Sequence, residues 1–179
     1  MKNILRFNII FLCFLFLVPL IIYAYSYTGH KWPSYPVSID VTDLSFPSSW
    51  ISPLANAMTT WNNASSPFYF NSGSGGHMVK ASNSGSGLLA ITSVSVSGST
   101  ITDCDLTVNT FYSWSTSGEV GKYDVQNMLT HELGHWLSLD DLYSLSDSEK
   151  TMYHASTTGE TKKRTLDQDD LNGINAIYP

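Results

Sequence analysis

The apolar and polar positions of the chain change their period several times, and each period predicts a different element. Residues 37–41 alternate apolar and polar side chains, which is the pattern of a half-buried strand. Further on, the spacing i, i+3, i+4 and i+7 of one helix face is filled by apolar residues: Leu54, Ala57, Met58 and Trp61. We therefore predict a strand followed by an amphipathic helix, with Ser49 or Ser52 as the N-cap of that helix.

The middle of the chain returns to alternation between loops rich in Gly, Ser and Asn. Short strands are predicted at 67–70 and near 77–80. Longer alternating runs at 88–96 and 100–108 flank Ser97-Gly98-Ser99, which predicts a β-hairpin.

Two further helices are predicted near the C-terminus. One runs from about 123 to 137, with Asp124 in its first turn, where a negative charge suits the helix dipole. The other starts at Thr165-Leu166-Asp167-Gln168, which has the pattern of a capping box. Between them, Lys162-Lys163-Arg164 is predicted to be a solvated turn. Strands followed by helices indicate an α+β domain, with a mixed twisted sheet packed on the 123–137 helix and a C-terminal helix.

The N-terminus differs in composition from the rest of the chain. Residues 1–24 hold two basic residues, no acidic residue and an apolar run from Ile9 to Ile22. This pattern is typical of a secretory signal peptide, with cleavage near Ala24. An uncleaved membrane anchor is the alternative, although the run is short for a span and is interrupted by Pro19. We therefore expect a secreted protein whose single domain occupies residues 25–179.

Charge and cysteine content narrow the classes of partner. The full chain has nine basic and fifteen acidic residues, and removing residues 1–24 leaves seven basic against fifteen acidic, a formal charge of −8. An acidic secreted domain is poorly suited to bind nucleic acid or anionic membranes, so we expect neither nucleic-acid binding nor stable membrane association after signal cleavage. We also expect a monomer. Only Cys104 remains beyond residue 24, and we expect it to be a free, buried thiol.

One short stretch carries candidate chemistry, with His131, Glu132 and His135 in the pattern His-Glu-x-x-His. Histidines four residues apart project from one helix face and can reach one metal ion. Imidazole nitrogens suit Zn²⁺, which in catalytic sites takes three protein ligands and leaves one position for water. Glu132 would lie beside that water and act as general base. The motif predicts zinc-assisted hydrolysis of peptide bonds.

The residues that follow extend this motif. Asp141 comes ten positions after His131, and Thr151-Met152-Tyr153 follows ten positions later. Near the C-terminus stands Leu166-Asp167-Gln168-Asp169-Asp170-Leu171-Asn172-Gly173-Ile174. In this order the segments resemble the catalytic domains of matrixins (matrix metalloproteases) in the metzincin clan, in which a Met-turn lies beneath the metal. The resemblance lies mostly in the C-terminal third. It implies a zinc endopeptidase fold with Asp141 as the third ligand, Met152 in the Met-turn and Asp170 bonded beneath that turn.

One departure from the family leaves the third ligand open. The glycine that the family has seven residues after the first histidine is Ser138 here, at a turn that costs a non-glycine residue about 1 kcal/mol or more. If the turn were built differently, Asp140 would be the ligand. A gluzincin-type zinc hydrolase would instead use Glu160. A secreted, non-catalytic zinc-containing binding domain is a further alternative, although Glu132 beside the metal would have little purpose there.

The resemblance also implies how a substrate binds. In matrixin-like domains an edge strand above the zinc helix pairs with an extended protein or peptide substrate. The candidate segment here is 87–91, with Leu88, Leu89 and Ala90 as substrate-binding residues. Binding would then be strand addition, in which main-chain hydrogen bonds supply affinity and side-chain pockets supply preference. Because matrixins often bind Ca²⁺, a calcium site that uses carboxylates such as Asp103 and Asp105 stays open, although no EF-hand spacing supports it.

Overall fold

The structure, a computed structural model, describes residues 25–74 and 76–179, so the predicted signal peptide lies outside the described residues. In chain order the strands are β1 (Ser26–Tyr27), β2 (Val37–Asp40), β3 (Phe70–Ser72), β4 (His77–Ser82), β5 (Ala90–Ser97), β6 (Thr100–Asn109), β7 (Trp114–Ser115), β8 (Tyr123–Asp124) and β9 (Leu139–Asp140). The helices are α1 (Ile51–Asn62), α2 (Val125–Trp136) and α3 (Gln168–Ile177), with 3-10 turns at Ser48–Trp50, Leu145–Asp147 and Lys162–Arg164. Within the described part, no helix has the length and apolar character needed to cross a membrane.

A five-stranded mixed sheet forms one layer, in the order β3-β2-β4-β6-β5. All of its neighbouring pairs are parallel except β5 and β6, which form the predicted antiparallel hairpin. Ser97 pairs with Thr100, so the turn consists of two residues, and Gly98 supplies the positive φ that such turns need. Strands and helices packed in this way confirm the α+β prediction, and they leave β5 as an open edge.

The first helix packs on the sheet through its predicted face, since all four residues of the apolar stripe are buried. The predicted serine cap is wrong. A 3-10 turn leads directly into α1, so the residue at the cap position, Trp50, has helical backbone angles and makes no side-chain capping bond. A capping side chain needs the extended backbone that this position lacks.

Two other predicted boundaries are displaced. The strand predicted at 67–70 begins only at Phe70, and Pro67 has no N–H to give to a ladder. The Asn62 side chain bonds both backbone groups of Phe70. The capping box of α3 is built from Asp167 and Asp170 rather than Thr165 and Gln168. The helix begins two residues later than predicted, and the Thr165 hydroxyl donates to the Lys162 carbonyl.

The segment before β2 belongs to the folded unit. Trp32 is buried, and its indole N–H donates to the carbonyl of Trp136 at the end of α2 (2.7 Å). β1 pairs with β9, and the Lys31 backbone bonds the β5–β6 turn at Ser99. The chain from β1 to Trp32 therefore lies along one side of α2. Cys104 on β6 is a free, buried thiol, as expected, and burial raises the pKa of this thiol.

Candidate metal centre and cleft

Helix α2 is held firmly at its start and along its length. The Asp124 carboxylate caps it by accepting from the Asn127 N–H (2.9 Å), and Arg164 binds the same carboxylate. This carboxylate also raises the pKa of the Arg164 guanidinium. Trp61 of α1 donates to the Thr130 carbonyl (2.8 Å), and both side chains are buried. The helix therefore presents its histidines from a rigid support.

His131 and His135 stand one turn apart on α2, with ring centroids 4.9 Å from each other. Each Nδ1 lies 2.8 Å from a backbone carbonyl, that of Thr151 for His131 and that of Leu139 for His135. A ring nitrogen can bond a carbonyl only as a donor, so Nδ1 carries the proton and Nε2 presents its lone pair. In both rings, Nε2 is the nitrogen that faces Asp141.

The turn after α2 brings Asp141 to the histidines. Ser138 adopts φ +69°, the left-handed conformation for which the family uses glycine, and its N–H bonds the His135 carbonyl (2.9 Å). β9 then leads into Asp141, whose Oδ1 lies 3.4 Å from His131 Nε2 and 3.7 Å from His135 Nε2. The Asp140 carboxylate instead accepts from the Asp141 N–H and is exposed.

This cluster has the donor set and spacing for Zn²⁺. Ligand atoms about 2.0–2.1 Å from a tetrahedral zinc lie about 3.3–3.4 Å from one another. The distances from Asp141 to the two histidines are close to that value, and its buried Oδ1 has no hydrogen-bond donor. Burial favours the neutral acid, but positive charge nearby, from the two histidines when they are protonated and from Lys163, holds the pKa of Asp141 below its usual value. The oxygen is therefore an anionic acceptor aimed at a place for a cation.

Other carboxylates of the described residues are engaged elsewhere. Glu160 bonds Asn127 and Thr157, so it does not join the histidines. Asp103 pairs with His77, and Asp105 pairs with Lys80. Within the described ranges, the one group of three His, Cys, Asp or Glu side chains close enough to hold a metal is His131, His135 and Asp141. A calcium site therefore receives no support from these carboxylates.

Glu132 lies next to the cluster without belonging to it. Its side chain is 5% exposed and lines the same cleft as the two histidines. Its Oε2 accepts a hydrogen bond from the Thr92 hydroxyl on β5 (2.7 Å).

Met152 packs beneath the cluster against Gly134, the helix residue just before His135. A methyl group at Gly134 would overlap the Met152 sulfur, so only glycine permits this approach. The Met152 carbonyl accepts from the Leu142 N–H (2.8 Å), next to Asp141. Together with the bond from His131 to the Thr151 carbonyl, these contacts connect the turn at residues 151–153 to His131 and to the backbone next to Asp141.

Lys163 contradicts the prediction of a solvated turn at 162–164. Its side chain is 1% exposed, its ammonium donates to the Tyr153 carbonyl and its N–H donates to Asn127 on α2 (2.8 Å). Burial lowers the pKa of this ammonium to about 8, although the negative charge of Glu160 and Asp141 opposes the shift. Three consecutive basic residues resemble a surface turn in sequence, and the buried partners that override this pattern come from distant segments.

The cluster opens into a cleft of about 650 Å³. Leu88 and Leu89, just before the edge strand β5, and Ala90, its first residue, line this cleft, and their role in substrate binding stays a prediction. Sequence reasoning missed several other lining residues, on the N-terminal segment and farther along β5: Thr28, His30, Thr92, Val94 and Val96.

Tyr143 was also missed. Its ring stacks on His154 at the cleft (4.8 Å between centroids), and its hydroxyl lies 3.4 Å from Asp141 Oδ2. Asp141 raises the pKa of the Tyr143 phenol. Neither Tyr143 nor Thr92 has a sequence signal, because only the folded chain brings Tyr143 to His154 and Thr92 to Glu132.

Comparison with known proteins agrees with this geometry. A family model described as matrixin matches residues 49–179. The matched span contains all three helices, β3 to β9 and the whole cluster. A search of curated proteins returned no match.

Proposed function

Because the chain belongs to the matrixin family of metallopeptidases, we propose that it is a secreted, zinc-dependent endopeptidase that hydrolyses peptide bonds in extended protein segments. One observation carries the proposal: the lone pairs of His131 and His135 and a buried oxygen of Asp141 converge beside a buried glutamate at an open cleft. Two imidazoles and a carboxylate that can hold a metal ion, with a second carboxylate beside them, suit metal-assisted peptide hydrolysis, the activity of metallopeptidases.

In this proposal His131, His135 and Asp141 hold Zn²⁺. When bound, the ion supplies a Lewis acid that polarises the peptide carbonyl and makes water more acidic. The backbone carbonyls of Thr151 and Leu139 keep each histidine in the tautomer that can bind a cation. Tyr143 orients Asp141 through its second oxygen.

Glu132 is the proposed general base and acid. Its carboxylate takes a proton from the attacking water and then passes that proton to the departing amine. Burial beside the cluster supports this role, since a carboxylate in a site of low polarity moves a proton without competition from bulk water.

The open edge of β5 is the proposed site for the substrate backbone. An extended segment would add to this edge as a further strand, in the cleft that Leu88, Leu89 and Ala90 line. Val94 and Val96 continue along the same edge strand, and Thr28 and His30 line the same cleft from the N-terminal segment. Both groups would contact side chains of a long substrate.

The remaining parts of the proposal come from the sequence. Residues 1–24 would be removed as a signal peptide and residues 25–179 would form the secreted catalytic domain, a monomer. The apolar run and its small-residue exit support cleavage over a retained anchor.

The test is cleavage of an unfolded protein by purified residues 25–179, which contain every element that the structure describes. We expect cleavage that a chelator abolishes, and nearly complete loss in Glu132→Ala with zinc still bound. Glu149→Ala is the matched control, since the Glu149 side chain is 81% exposed and belongs neither to the cluster nor to the lining of the cleft. Folded, zinc-loaded wild type that cleaves nothing would overturn the proposal and favour a binding domain. Cleavage by Glu132→Ala at the wild-type rate would overturn the role of Glu132.

A further inference from the structure

We propose that Thr92 is a positioning residue, which fixes the carboxylate of Glu132 for proton transfer; the proposal rests on the peptidase function above. The Thr92 hydroxyl donates to Glu132 Oε2 at 2.7 Å. That distance is typical of a strong hydrogen bond between a hydroxyl and a carboxylate.

The pairing of β5 explains why Thr92 points at the helix. Thr92 lies opposite Leu106 on β6, and residues opposite each other share one face of the sheet. Leu106 is 0% exposed, so this face packs inward. Ile91, one residue earlier, belongs to the other face and is 48% exposed. The alternation of the strand therefore delivers the Thr92 hydroxyl to the buried Glu132.

The hydrogen bond from Thr92 restricts the orientation of the Glu132 carboxylate. A glutamate side chain has three rotatable bonds, and its terminal carboxylate rotates over a broad range when nothing holds it. With Oε2 engaged by Thr92, Oε1 is the oxygen left to accept a proton from water. Threonine suits this task because its β-branched side chain has a restricted χ1 angle, which keeps the hydroxyl in place.

The position of Thr92 also couples substrate binding to the base. Its backbone belongs to the edge strand that would pair with the substrate, while its side chain holds Glu132. A substrate that pairs with β5 is thus positioned relative to Glu132, the proton acceptor, through Thr92 alone.

The experiment compares steady-state cleavage of one peptide by three variants of the 25–179 protein. Thr92→Val keeps the shape and removes the hydroxyl. We expect its kcat to fall about tenfold to 100-fold, as for the loss of a hydrogen bond to a charged group, with KM within about twofold of wild type. Thr92→Ser restores the hydroxyl and should recover most of kcat. Thr107→Val makes the same change on the opposite face, where Thr107 pairs with Ile91, and should match wild type.

Three results would overturn the proposal: an unchanged kcat in Thr92→Val, equal losses in the valine and serine variants, or a loss confined to KM. A second measurement separates this proposal from the peptidase function. In a cycle of Thr92→Val and Glu132→Ala, both changes remove the same bond, so their losses in Tm should not add. Additive losses would refute the bond even in a protein that cleaves nothing, whereas non-additive losses without cleavage would refute only the peptidase function.

Discussion

Replacing Gly134 by alanine tests how closely the turn at residues 151–153 is fitted to α2. A methyl group there would overlap Met152 Sδ, and it would lie 3.0 Å from Met152 Cε and 3.1 Å from Trp61 Cζ2. Both neighbours are buried, so any movement of either side chain takes place inside the core. The Met152 side chain would have to shift, and it belongs to the turn whose backbone carbonyls bond His131 and the Leu142 N–H.

Two opposing effects set the size of the change. Extra volume in a packed core costs about 1–3 kcal/mol. Alanine is a better helix former than glycine by about 1 kcal/mol, which offsets part of that cost. We therefore expect Gly134→Ala to lower the free energy of unfolding by about 1 kcal/mol, or about 2–4 °C in Tm for a domain of this length.

The assay is urea unfolding of the wild type, Gly134→Ala, Met152→Ala and the double variant. Met152→Ala leaves a cavity and should cost about 2–5 kcal/mol alone. In the double variant the new methyl group occupies part of that cavity. The double variant should therefore lose less unfolding free energy than the sum of the two single-variant losses. A Gly134→Ala protein more stable than wild type, or strictly additive losses, would refute the packing account.

Two further predictions concern carboxylates. Asp141→Ala should weaken zinc affinity more than about 100-fold, because loss of an outer-shell partner alone costs about 10–100-fold, whereas Asp140→Ala should leave it nearly unchanged. Equilibrium competition with a chelator measures both, and the reverse pattern would contradict the ligand assignment. Asp170 provides the pH test, since burial raises the pKa of its carboxyl from 3.8 to about 6. The folded state holds this proton more tightly than the unfolded state, so the stabilisation is complete below about pH 4 and is lost as pH rises through 6. Asp170→Asn cannot lose a proton, so its stability relative to wild type should rise by about 2 kcal/mol between pH 4 and pH 7. Unfolding at several pH values measures this difference, and a difference independent of pH would refute it.

The sequence predicted the elements that depend mainly on the period of neighbouring side chains and on turn residues. The apolar stripe of α1 and the β5–β6 hairpin follow from side-chain period and from a glycine turn, and both were confirmed. The family motif also placed His131, His135 and Asp141 at positions that the fold brings together, despite Ser138 at the turn. Serine tolerates that left-handed conformation at an energetic cost that the surrounding bonds offset.

The misses share one physical cause, which is competition between local preference and distant partners. Thr165 could cap a helix, but the chain enters α3 only at Gln168, so the cap is Asp167. Lys163 should favour water, but the Tyr153 carbonyl and Asn127 hold it inside. Thr92 is forty residues before Glu132, and only the packing of β5 on α2 joins them. No single-sequence pattern contains such pairings.

The most direct test of a catalytic zinc centre is a titration of the zinc-free 25–179 protein with Zn²⁺, with cleavage of an unfolded protein followed at each step. Cleavage should rise in proportion to added zinc and level off at one ion per chain. Full cleavage before any metal is added, or none after one ion is bound to folded protein, would contradict the account.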